Sequence, residues 1–208
     1  ITMKKNKFLF NQATIIGVGL IGGSMGMAIK KKRIARRVIG FTRRQKTIEE
    51  ALKLRAIDKG TLSLKLALKG ADLIILATPV NTITRLSKSI IEMAERNSII
   101  TDVGSCKHEI VSFIEKILSK NIEFVGGHPL AGSEKKGVNF GSPDLFKDTL
   151  CILTPTVRTN KQAFKKIKEL WLRLGANVKV LTPLEHDRIL AYVSHLPHFI
   201  SFSLIQSI

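Results

Sequence analysis

The chain has 208 residues, 44% of them hydrophobic, which supports one full domain plus part of another and excludes a disordered polymer. Its 34 Lys+Arg against 16 Asp+Glu give a net charge of +18, a field that favours anionic partners. The basic residues are spread along the chain, and one Trp and one Tyr build no stacking platform, so nucleic acid is not an expected partner.

In chain order, residues 13–18 form an apolar strand that enters Gly17-Val18-Gly19-Leu20-Ile21-Gly22, and residues 20–32 are compatible with a helix. Strand, G-x-G-x-x-G turn and helix together are the dinucleotide-binding fingerprint. Gly17 makes the tight turn, Gly19 admits a pyrophosphate, and Gly22 lets the helix pack on the strand. The helix start, with Leu20 and Ile21, offers free N–H groups to phosphates. A strand at 38–41 and a helix at 47–56 follow. The turn between them, Thr42-Arg43-Arg44-Gln45-Lys46-Thr47, holds no acid. Thr42 and Thr47 can donate hydroxyl hydrogen bonds, and Arg43 or Arg44 can pair with a 2′-phosphate, which favours NADP, with NAD as the alternative.

Residues 71–77 read as a strand covered on both faces, and 81–95 as an amphipathic helix. Further strands are expected at 98–103, 123–127, 150–153 and 177–181, with helices at 109–118 and 160–174. This order predicts an α/β fold, a Rossmann-type doubly wound, mostly parallel sheet. From 184 onward strand signals stop, and 186–208 reads as one long helix kinked at Pro197, the start of an all-helical second domain. The expected division is 1–182 and 183–208.

No apolar run approaches the ~20 residues that span a bilayer, so a cytoplasmic protein without a membrane partner is expected. Cys106 and Cys151 make no disulfide framework, and no metal-ligating cluster is evident. Three polar groups fall at strand ends, where ligands bind in this architecture. They are Ala77-Thr78-Pro79, Asp102-Val103-Gly104-Ser105-Cys106-Lys107 and Gly126-Gly127-His128-Pro129-Leu130-Ala131-Gly132-Ser133-Glu134. Ser105 and Lys107 are expected to face the cleft, with His128 on the neighbouring strand end.

The glycine turn, Asp102 to Lys107, Gly126 to Glu134 and Ser194-His195-Leu196-Pro197-His198, in this order, resemble the prephenate/arogenate dehydrogenase family of tyrosine biosynthesis over residues 13–208. The resemblance implies oxidative decarboxylation of prephenate or arogenate, a cyclohexadienol. Hydride passes to NADP or NAD, and a C-terminal helical domain forms a homodimer. It makes His128 the acceptor of the substrate hydroxyl proton and Ser105 a partner of both. Ser133 is a substrate contact, Lys107 a neighbour of the site, and Glu134 and His186 a polar pair gating the cleft. His198 reaches the substrate from the helical domain, and His195 is its more structural neighbour. It also implies a C-terminal arginine for the substrate side-chain carboxylate. No arginine follows Arg188 here, so the resemblance implies helices beyond those in this sequence. Two rivals remain: a small-acid dehydrogenase that uses Lys107 as acid/base, and a non-catalytic NADP-binding module.

Overall fold

A computed structural model describes residues 8–119 and 121–206, with the main chain alone at 195, 198, 199, 202, 204 and 206. The first apolar run is β1 (Phe10–Ile16), and after the glycine turn comes α1 (Leu20–Lys31). Then follow β2 (Ala35–Phe41), α2 (Gln45–Lys53), β3 (Lys59–Thr61), α3 (Leu64–Leu68), β4 (Leu73–Leu76) and α4 (Val80–Met93). The second half holds β5 (Ile99–Asp102), α5 (His108–Ile117), β6 (Glu123–Pro129), β7 (Leu150–Thr154), α6 (Lys161–Leu174) and β8 (Asn177–Val180). Helix α7 (Pro183–Leu190), a π-helical segment (Ala191–His195) and α8 (Leu196–Gln206) close the described chain.

The strands form one eight-stranded sheet in the order β3-β2-β1-β4-β5-β6-β7-β8. The first six are parallel and carry the doubly wound order; β7 runs antiparallel to β6 and parallel to β8. The expected fold class is therefore the observed one. Period-two alternation distributes each strand between two cores. Ile15, Leu73 and Ile75 pack with Met25 and Ile29 of α1 and Trp171 of α6. Ile16, Ile74 and Leu76 pack with Ile83 and Ile90 of α4 and Ile114 of α5. Being covered on both faces is why β4 is four consecutive buried apolar residues.

Strand β3 and helix α3 were not expected from the sequence. Strand β3 is a short edge with no buried residue, so it leaves no apolar run, and α3 is five residues, too short for a clear period. The C-terminal helix also differs from expectation. It starts at Pro183, because Thr182 and Glu185 make a reciprocal capping box and proline suits the first helical position. Its irregularity lies at Ala191–His195, ahead of Pro197 rather than at it. Pro197 lacks the N–H that would bond the Val193 carbonyl, and the chain rewinds as a π-turn over that stretch. Residues 207 and 208 of the expected helix lie outside the described residues.

Candidate active site

Two cavities open beside the C-terminal ends of the parallel strands. The first, about 340 Å³, lies over the glycine turn. Gly17 has φ +100°, and a Cβ there would meet the Ala77 carbonyl oxygen at 2.7 Å. At Gly22 a Cβ would come within 2.1 Å of the Gly17 carbonyl oxygen, so α1 can sit this close to the turn only with glycine. At Gly19 a Cβ would meet nothing within 4 Å, so the main chain there faces open space. Helix α1 has no acid in its first turn, which keeps its N-terminal N–H groups favourable to an anion.

Gly17, Gly19, Thr42, Arg43, Thr47, Ala77, Thr78 and Pro79, all expected from the sequence, line this cavity. Leu20, Ile21 and Gly22 do not: they form the first turn of α1, with Gly22 buried against the turn. Arg44 is also absent from the wall; it is exposed and caps α2. The sequence reading missed Glu50, Thr82, Arg85 and Leu86, which also line it. They sit on helical faces a turn or more beyond the strand-end motifs, and a Thr47–Glu50 spacing was the available signal. The Thr78 hydroxyl oxygen is buried with no hydrogen-bond partner among the described residues, and a ligand polar atom would satisfy it. Glycine turn, free helix end and orphaned hydroxyl fit a dinucleotide.

The second cavity, about 630 Å³, is lined by Ser105, His128, Pro129 to Gly132, Leu190, Val193 and Ser194. It thus joins the ends of β5 and β6 to the π-helical segment. Leu190, Val193 and Ser194 were not predicted, because only the tertiary packing of α7 brings them here.

His128 Nδ1 lies 2.8 Å from Nε2 of the fully buried His186, and His186 Nδ1 lies 2.7 Å from Asp187 Oδ1. Asp187 also accepts the N–H groups of Lys107 at 2.7 Å and His108 at 2.8 Å, at the start of α5. Burial opposes the Asp187 charge, but these N–H groups and His186 outweigh it and hold the carboxyl below its usual range. Burial pushes the His186 pKa down, more than Asp187 raises it, so this imidazole is neutral near pH 7.

Those states settle the tautomers. A carboxylate only accepts, so His186 donates from Nδ1. Its neutral ring then accepts at Nε2, and His128 must donate from Nδ1. In a neutral His128 ring the nitrogen without a proton is then Nε2.

Two expectations are corrected here. Lys107 does not face the cleft: its side chain is fully buried and paired with Asp102, because helix α5 begins at once and turns it under the sheet end. His186 does not pair with Glu134. It is buried against His128 and Asp187, while Glu134 is exposed on the loop after β6. Ser133 is exposed on the same loop, its hydroxyl accepting the Lys135 N–H at 3.0 Å. The side chains of His195 and His198 lie outside the described residues. Among the described residues no group of three or more His, Cys, Asp or Glu could hold a metal, and no helix is long and apolar enough to cross a membrane.

A glycine-turn cavity beside a histidine array, over one end of a parallel sheet, defines a Rossmann-type nucleotide-binding protein. Residues 25–187 match the family model of the prephenate dehydrogenase nucleotide-binding domain, and 182–208 match that of its dimerization domain. The chain belongs to the prephenate dehydrogenase family. It is 39% identical to prephenate dehydrogenase of Bacillus subtilis over 92% of its length, and it spans about half (52%) of that relative. The structure superposes on that of Aquifex aeolicus prephenate dehydrogenase, solved with hydroxyphenyl propionate and NAD+. The TM-score is 0.90 at 34% identity, covering 95% of this chain and 68% of that one. Synechocystis arogenate dehydrogenase gives 0.85 at 32% identity, covering 94% and 68%.

Proposed function

We propose that this chain is the cofactor-binding and histidine-bearing part of a prephenate or arogenate dehydrogenase, residues 1–182 holding the cofactor and 183–208 opening a helical, dimer-forming domain. The observation that carries this reading is the His128–His186–Asp187 array, whose His128 lines a cavity at the strand ends next to the glycine turn.

The reaction needs a hydride acceptor, a proton acceptor and release of CO₂. A bound nicotinamide would supply the acceptor for the hydride of the ring carbon that carries the hydroxyl. His128 Nε2 takes the hydroxyl proton as that oxygen becomes a carbonyl. The imidazolium so formed donates from Nδ1 to His186, and Asp187 offsets its charge through that ring. The ring carboxylate then leaves as CO₂, its electron pair passing into the ring and making it aromatic. Ser105 holds the hydroxyl toward His128 in this reading, which its position in the same cavity wall supports. Ser133, Glu134 and His198 are further substrate contacts in this reading.

Arg43 with Thr42 and Thr47 in the cavity wall supports NADP. Glu50 in the same wall supports NAD as the second reading, since a carboxylate repels a 2′-phosphate. A homodimer through α8 is supported by the matched dimerization-domain model and by exposed Leu196, Ile200 and Ile205.

The test is reduction of NADP or NAD, followed by absorbance of the reduced cofactor, with prephenate and with arogenate. Turnover with one pair settles substrate and cofactor together. Tight dinucleotide binding without turnover supports the non-catalytic module, and absence of both would sink the dehydrogenase reading.

A further inference from the structure

Lys107 is the buried ionisable group that the proton transfer does not use. Its Nζ donates to Asp102 and, at 2.9 Å, to the Gly127 carbonyl oxygen. Asp102 in turn accepts the N–H of Gly104 at 2.8 Å and of Gly127 at 3.2 Å. Both main-chain polar groups of Gly127, the residue before His128, therefore end on this ion pair. At its other end, the Lys107 N–H donates to Asp187 Oδ1, the oxygen that also faces His186.

An ion pair taken out of water adds little net stability over apolar residues of the same volume. What it supplies is direction, because charged hydrogen bonds are short and oriented. Here they join β5, the end of β6 and the start of α5 beneath the two imidazoles.

We propose that Lys107 is a positioning residue for the histidine array: its ammonium, with Asp102, fixes the end of β6 that carries His128, and its N–H fixes the Asp187 carboxylate. This rests on the reading of His128 as the proton acceptor. A ring–ring hydrogen bond weakens steeply when it is misaligned. Without the tether, His128 loses the partner that selects its Nδ1–H form and becomes a mixture of tautomers.

The titratable and charged groups around the two rings are Asp102 at the end of β5, Lys107 just before α5, Cys151 from β7 and Asp187 from α7, with Ser105 in the same cavity wall as His128. Burial pushes the Cys151 thiol up, so it stays neutral. Burial lowers the Lys107 pKa while Asp102 supports its charge. Replacing Lys107 by Met removes a cation and leaves an anion. Both changes favour the imidazolium, so His128 should then titrate at higher pH.

The experiment is nitrogen-15 imidazole NMR of the ligand-free full chain across pH, with the five histidines assigned by comparison with His128→Asn. Wild type should show His128 mainly as the Nδ1–H tautomer. Lys107→Met should give mixed tautomers and the upward titration shift. Asp102→Asn/Lys107→Met removes both charges at nearly constant volume and covers the case in which the single variant does not fold. It should give mixed tautomers without the titration shift. Wild-type tautomer and titration in either folded variant, whatever its melting temperature, would overturn the proposal. No cofactor or substrate is present in this measurement. Absence of both turnover and dinucleotide binding in wild type would thus remove the dehydrogenase reading and leave this result standing.

Discussion

The two cavities are assembled over very different distances along the chain. The cofactor cavity takes most of its wall from residues 17–86, on the ends of β1, β2 and β4 and the helices that follow them. The histidine cavity takes its wall from residues near 105, 128–132 and 190–194, and its key contact joins residues 58 apart. The first is a local motif supported by a sheet. The second exists only when α7 packs against α5 and the end of β6. The two should therefore fail independently.

The largest effect is expected from His128→Asn. It removes the proton acceptor and should lower kcat by about 10²–10⁴-fold, with dinucleotide Kd unchanged by calorimetry. A near-normal rate would remove the mechanism. Asp187→Asn offers His186 an amide in place of a carboxylate, so the tautomers are no longer dictated. A fall in kcat of about 10²-fold, again with Kd unchanged, is expected from steady-state kinetics.

The reverse pattern should come from Gly17→Ala. The side chain meets the Ala77 carbonyl at a positive φ, so dinucleotide affinity should drop roughly 10- to 100-fold. The imidazole NMR signals of His128 and His186 should stay as in wild type; their loss would show that the cavities are coupled. A smaller, selective change is expected from Arg43→Ala, with NADP binding about tenfold weaker and NAD binding nearly unaltered. Equal weakening of both would place Arg43 on a shared phosphate.

The smallest effect is on stability against pH. Because burial depresses the His186 pKa in the folded chain, the unfolded chain binds a proton that the folded one refuses below about pH 6.5. This contribution is present above that pH and lost as pH falls through the folded value. The melting temperature should decline on acidification, and His186→Gln should flatten that slope. Turnover should also fall on acidification, for a different reason: protonated His128 cannot accept a proton.

The residues themselves determined the glycine turn, the strand–helix alternation, the doubly wound order and the strand ends that bear Thr78, Ser105 and His128. Periodicity and turn chemistry act over a few residues, and parallel strands require crossover helices. The sequence also placed Arg43 and Thr47 at the cavity over the glycine turn, because the end of β2 lies there in this topology. Only the tertiary structure decided that Lys107 turns inward to Asp102, that His186 meets His128 instead of Glu134, and that Glu50 and Ser194 reach the cavities. Those contacts depend on where α5 begins and how α7 lies across the sheet. Such placement is set by packing of whole elements and by burial of charge, neither of which leaves a local pattern in the chain.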